Sequence, residues 1–174
     1  YPCNRHLIRL AGGEAVSLVV DASSQFQPSV EQVVTAWSPR TVAILLASPA
    51  NPTGTLMPLA VMRDICAEVE RRHACMIVDE IYHGLEYEQN APTALALSNH
   101  VFVVNSFSKY FGMTGWRLGW MVVPEYYVPH VEKLSQNLFL AASTPAQFAA
   151  LAAFQPETIA ILEERRREFA QRRD

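Results

Sequence analysis

The sequence predicts an α/β fold, a mostly parallel sheet with flanking helices, and three observations lead there. Short uninterrupted apolar runs recur at 41–47 (TVAILLA), 75–78 (CMIV) and 101–104 (VFVV), the mark of strands in a sheet interior. Segments with helical periodicity lie between and after them, and strands alternating with helices build parallel sheets. Each run also stops at a polar cluster, and ligands of such sheets gather beyond the carboxyl ends of the strands. The 174 residues, 50% hydrophobic and 18% charged, suit one globular domain over 1–174.

In chain order, 7–10 and 16–20 read as extended segments parted by a turn at Gly12 and Gly13. Ser29, preceded by Pro28, is placed to cap a helix over 30–37. The run 41–47 reads as a strand buried on both faces and ends in the turn-rich SPANPTG (48–54). Across 59–73, Leu59, Met62, Ile65, Cys66 and Val69 share one helical face, with Glu68, Glu70, Arg71 and Arg72 elsewhere. Strand 75–78 ends at Asp79 and Glu80, and an irregular, hairpin-like region follows. After strand 101–104 come a glycine-punctuated loop, a strand over 118–123, and helices over 125–139, 144–154 and 157–173. The last carries Glu163, Glu164, Arg165, Arg166 and Arg167, a charge run that reads as a solvated helix surface.

A formal net charge of −3 offers no footprint for nucleic acid. No apolar run approaches the roughly 18 residues of a membrane helix, and no signal-peptide pattern is present, so no membrane partner is expected and the expected location is cytoplasmic. Cys3, Cys66 and Cys75 match no metal-ligand spacing and read as reduced thiols; no metal is expected. The chain opens without Met, mid-pattern, as a piece of a longer protein would.

The chemistry concentrates in 105–120, NSFSKYFGMTGWRLGW. Lys109 is one of two lysines, the other being Lys133. It follows a core strand among small polar and glycine residues, where partial burial and a cationic neighbour would let an amine shed its proton and form a Schiff base. Arg117, eight residues on, offers a planar fork suited to a phosphate. An imine-forming lysine with a phosphate anchor points to pyridoxal 5'-phosphate (PLP).

Asp79, after four apolar residues, would be poorly solvated and needs a partner. A protonated pyridine nitrogen would supply one, and so would backbone amides at the strand end. Tyr82 can set its phenol, and Asn51 its amide, against the oxygen substituent of the ring; singly, they read equally as a packed aromatic and a turn residue before Pro52. Ser106 and Ser108 offer hydroxyls to phosphate oxygens or to local turn capping. His83, with no evident partner, reads as structural.

Three stretches, SPANPTG (48–54), VDEIYHGL (78–85) and SFSKYFGMTGWRLGW (106–120), together resemble the class I/II aminotransferases of PLP fold type I, close to the aspartate aminotransferase-like group. The resemblance covers essentially the whole chain in order and spacing. It implies that Lys109 forms the Schiff base with PLP and then shuttles the proton between the substrate's α-carbon and the cofactor's C4′. Asp79 is similar to the pyridine-nitrogen partner, and Tyr82 and Asn51 to the pair that contacts the ring's phenolic oxygen, Asn51 also approaching the substrate carboxylate. Ser106, Ser108 and Arg117 resemble phosphate contacts. Tyr1, in YPCNRH, falls where the family places an aromatic that stacks on the ring.

The same resemblance implies the middle and latter part of a PLP-binding large domain, incomplete in its seven-stranded mixed sheet. It lacks the N-terminal strands, the glycine-containing phosphate loop, and the C-terminal small domain with the arginine that grips the α-carboxylate. One absent strand would leave a gap between two strands present here. The implied reaction is ping-pong transfer of an amino group between an amino acid and a 2-oxo acid, with a homodimer as the full-length assembly. This piece alone is expected to be inactive, because substrate positioning is lost. Lys109, Asp79 and Tyr82 would equally serve another fold-type-I PLP enzyme, a C–S lyase or an aminocyclopropane-carboxylate synthase-like lyase; GMTGWRLGW leans towards an aminotransferase. A non-catalytic aminotransferase-like effector domain of a transcription regulator is the other alternative.

Overall fold

The structure is a computed structural model that describes residues 2–174. Helix α1 (Pro2–Leu10) is followed by irregular chain, a 3-10 turn at Ala22–Ser24 and helix α2 (Val30–Ala36). Strand β1 (Ala43–Ala47), helix α3 (Leu59–Arg71) and strand β2 (Cys75–Asp79) form a βαβ unit. Strand β3 (Val101–Ser106) and strand β4 (Gly119–Val122) come next, then α4 (Val128–Leu138), α5 (Thr144–Ala153) and α6 (Pro156–Arg173).

Local chemistry sets the elements. The Ser29 hydroxyl accepts the Gln32 amide proton at 3.1 Å while Gln32 Oε1 accepts that of Ser29 at 2.9 Å, a reciprocal cap that starts α2 as expected. In α3 the stripe Met62, Ile65, Cys66 and Val69 is buried, as its spacing requires. The sheet runs β1-β2-β3-β4. The first three strands are parallel, with Leu46 opposite Val78 and Val78 opposite Val103; β4 returns antiparallel, Val103 opposite Val122. One face of the sheet, Leu46, Met76, Val78, Val101 and Val103, packs on the α3 stripe to make the main core. Each such fully buried side chain stabilises the fold by roughly 1.5–3 kcal/mol. A second, smaller core joins Phe107 to Ala150 and Ala153 of α5, with Phe111, Met113 and Leu118 against it.

Several expectations are corrected. Residues 7–10 are helical, the last turn of α1. The paired glycines end that helix: Gly12, at φ 80°, donates to the Arg9 carbonyl and Gly13 to that of Ile8. This is a left-handed C-terminal cap, whose glycine signature looks the same in sequence as a turn between strands. Residues 16–20 form no strand, and the 81–100 region holds turns and one 3-10 segment, Ala94–Ala96, with no hairpin. Helix 125–139 is a 3-10 turn, Glu125–Tyr127, running into α4. The run 41–47 is buried on one face only, since Ala43 and Leu45 are exposed while Leu46 is buried; β1 is an edge strand, and an apolar run does not report how many helices cover it. No gap interrupts the sheet among the described residues, because β3 and β4 bond directly. Tyr1 lies outside the described residues.

At Gly119 the close β3–β4 approach demands the missing side chain: an added Cβ would stand 2.7 Å from the Asn105 carbonyl oxygen. Gly119→Ala is expected to lower the unfolding free energy by about 1–3 kcal/mol, read from the urea midpoint at unchanged slope.

Candidate active site

Parallel pairing brings three strand ends side by side, and the loops that leave them line one open cleft of about 1840 Å³. Asn51 reaches it from the loop after β1, Asp79 and Tyr82 from the end of β2, and Ser108, Lys109 and Arg117 from the loop after β3. Ser106 is not among the residues that line it.

The Asn51 side-chain amide donates to the Tyr82 hydroxyl at 3.1 Å, joining two loops 31 residues apart. Lys109 Nζ stands over the Tyr82 ring, 5.4 Å from its centroid, within cation–π range. Half-buried Asp79 accepts the Ile81 amide proton through Oδ1 at 3.0 Å, so the strand-end capping open to it in sequence is realised by one oxygen. Oδ2 has no protein hydrogen bond among the described residues and remains available to a cationic N–H. Lys109 itself is exposed, which corrects the expectation of partial burial: Tyr110 turns back towards α6 while Lys109 projects into the open cleft.

The loop that carries Lys109 is tightly fixed. Phe107 is buried and packs tilted against Phe111 and edge-to-face against Trp120 and Phe154. The Ser106 hydroxyl accepts the Ser108 amide proton at 3.0 Å and lies within donating distance of Ser108 Oγ and the Leu118 carbonyl. Its single proton is thus shared within the turn, whereas the hydroxyl proton of Ser108 has no acceptor among the described residues. Thr114 closes the loop by donating to the Ser108 carbonyl at 2.7 Å. Arg117 is exposed and left-handed (φ 54°), a costly backbone for an arginine, and donates one guanidinium nitrogen to the Thr114 carbonyl at 2.9 Å. Its other guanidinium nitrogens have no protein hydrogen bond among the described residues, and Arg117 lines the cleft.

Sequence reasoning missed the anchorage behind this loop. Tyr110 donates to Glu163 of α6 at 2.6 Å, and its ring lies against Gly84, where a Cβ would come within 2.7 Å and where φ is 90°. Arg166 pairs with Glu163 at 2.8 Å and donates to the Glu86 carbonyl at 2.6 Å. Burial, then the Glu163 carboxylate that accepts its proton, push the Tyr110 phenol up to about 12; the same hydrogen bond, aided by Arg166, draws Glu163 below the usual carboxylate range. The charge run of α6 is therefore partly a clamp. Its only advance signal was the i, i+3 spacing of Glu163 and Arg166.

The chain belongs to the aminotransferase class I and II family, whose model matches residues 1–174; proteins of this family are generally PLP-dependent. It is 39% identical over 162 residues to the valine–pyruvate aminotransferase of Mycobacterium tuberculosis, a match covering 92% of this chain and 42% of the relative. Among solved structures, an aminotransferase from Mycobacterium tuberculosis superposes with a TM-score of 0.93 at 36% identity, over 99% of this chain and 45% of that one. The aspartate aminotransferase of Thermus thermophilus with maleate gives 0.91 at 32% identity, over 97% and 45%. The chain thus spans less than half the length of these relatives.

A lowered carboxylate adds stability above its unfolded value of 4.5 that is lost as acid protonates it. A raised phenol adds stability below 10.0 that is lost as pH climbs towards about 12. Tyr110→Phe is expected to cost about 1 kcal/mol across roughly pH 5 to 9, the difference from wild type shrinking on both sides of that range. Urea unfolding over pH checks it.

Proposed function

We propose that this chain carries the cofactor cradle of a PLP-dependent aminotransferase acting on amino acids and 2-oxo acids. The observation that supports this best is the meeting of Lys109, Asp79, and the bonded pair Asn51 and Tyr82 in one cleft, with Ser108 and Arg117 beside them. The residues fit the group: a carboxylate oxygen is free for a ring N–H, a phenol and an amide already share one point, and a guanidinium fork has donors to spare.

When bound, PLP supplies an aldehyde for an amine and a ring that draws electrons from a substrate carbon. In this reading Asp79 holds the ring nitrogen protonated, and Tyr82 with Asn51 fixes the ring oxygen. Arg117 and Ser108 hold the phosphate, with Ser106 orienting Ser108. Lys109, on a flexible stem over Tyr82, would be the base that moves the proton between the α-carbon of the amino acid and C4′ of the cofactor. Asn51, exposed at the cleft rim, is placed for the substrate carboxylate as well. Relatives named as a valine–pyruvate aminotransferase, a (5-formylfuran-3-yl)methyl phosphate transaminase and an aspartate/prephenate aminotransferase favour transfer over elimination. The reading extends to a cytoplasmic homodimer for the full-length protein.

Adding PLP to the protein is expected to develop an absorbance band near the visible edge that Lys109→Ala abolishes. A band that persists in Lys109→Ala, or no band in the wild type, overturns the reading.

A further inference from the structure

We propose that His83 is a positioning residue, clamped between Glu80 and the Ser48 backbone so that the loop bearing Asn51 is fixed against the loop bearing Tyr82. The inference rests on the reading of the cleft as a PLP site. Asp79 and Tyr82 face the cleft, but their chain neighbours Glu80 and His83 are not among its lining residues. Glu80 is 3% exposed, and a carboxylate buried that deeply needs all its oxygens engaged. Oε1 accepts the Ala94 amide proton at 2.7 Å, and Oε2 lies 3.4 Å from His83 Nδ1. On the ring's other side, Nε2 is 3.1 Å from the Ser48 carbonyl oxygen; a carbonyl only accepts, so Nε2 donates, and the Nδ1 contact with the Glu80 carboxylate is an ion pair when that nitrogen carries a proton as well. Ser48 is fully buried and its hydroxyl accepts the Met57 amide proton at 3.0 Å, so it cannot yield to a displaced ring.

One imidazole thus ties the β1 loop to the β2 loop, and Glu80 ties both to the turn before β3. Three residues beyond Ser48 stands Asn51; one before His83 stands Tyr82; their side chains meet at 3.1 Å. A shift of about 1 Å between such partners costs heavily in a positioned site. Glu80 and His83 set that separation from behind, without touching ligand.

The test compares His83→Phe, which keeps ring bulk but neither nitrogen, with His83→Gln, whose amide can still donate to Ser48. Two readouts are taken: the NMR resonances of the Tyr82 ring in cofactor-free protein, and the PLP dissociation constant from absorbance titration. His83→Phe is expected to move the Tyr82 resonances and weaken PLP about tenfold, a 1.4 kcal/mol change, while His83→Gln restores both to near wild type. Should His83→Phe not fold, His83→Asn, too short to span Ser48 and Glu80, takes its place with the same expected losses. A folded variant lacking the tie that leaves both readouts at wild-type values overturns the inference. If the wild type itself takes up no PLP, the cofactor reading fails separately, and the Tyr82 resonances decide the tie alone.

Discussion

Parallel pairing of β1, β2 and β3 is the constraint on which the site depends. Ala47, Asp79 and Val104 lie in one row across the sheet, and the ladder continues one step beyond: Ser48 donates to the Asp79 carbonyl and Glu80 to that of Val104. Neighbouring strands lie about 4.8 Å apart, so three loops begin within roughly 10 Å of one another. Residues 58 positions apart in sequence, Asn51 and Lys109, thereby come to line the same cleft. Because side chains alternate, a one-residue slip of β2 would turn Asp79 into the core and Glu80 into the cleft. The buried methionine and valines opposite α3 hold the register against that slip.

Alternation also separates the charges that work at the surface from those that hold the frame. Asp79 and Glu80 are adjacent carboxylates with opposite fates: one keeps an oxygen open to the cleft, the other is buried, with one oxygen bonded to the Ala94 amide and the other 3.4 Å from His83. Lys109 and Tyr110 divide in the same way. The amine projects into the cleft, and the phenol reaches back to Glu163. Each functional side chain is thus fixed through a neighbour that faces inwards, so a mobile stem such as that of Lys109 stands on an immobile backbone.

Much of this was legible in sequence, for reasons that differ by element. The strands could be read because apolar runs bounded by turn residues are local signals, and α2 because its cap is written in Ser29 and Gln32. The three motifs placed Asn51, Asp79, Tyr82, Ser108, Lys109 and Arg117 near one another because strand ends in a parallel sheet leave little choice. Helix α1 was misread because Gly12 and Gly13 end helices as readily as they join strands. The exposure of β1 and of Lys109 was illegible, since burial depends on which distant elements cover a residue. His83 looked solitary for the same reason: its partners are a backbone carbonyl 35 residues away and a carboxylate whose inward turn only the sheet decides.

The cleft is polarised across the sheet. Asp79 sits at the end of β2 and Arg117 just before β4, two strand spacings away on the far side of β3. That separation, about 10 Å in sheet terms, puts an anion-accepting fork at one end and a cation-accepting carboxylate at the other. Lys109 stands between them in the chain, against the aromatic face of Tyr82. A small planar ligand with a phosphate at one end and a protonated nitrogen at the other matches this polarity in one orientation only; reversed, it would set phosphate against Asp79. Orientation of such a ligand therefore follows from charge placement alone. In the proposed reading, Tyr82, Asn51 and Ser108 add hydrogen bonds to the pose that this charge placement favours.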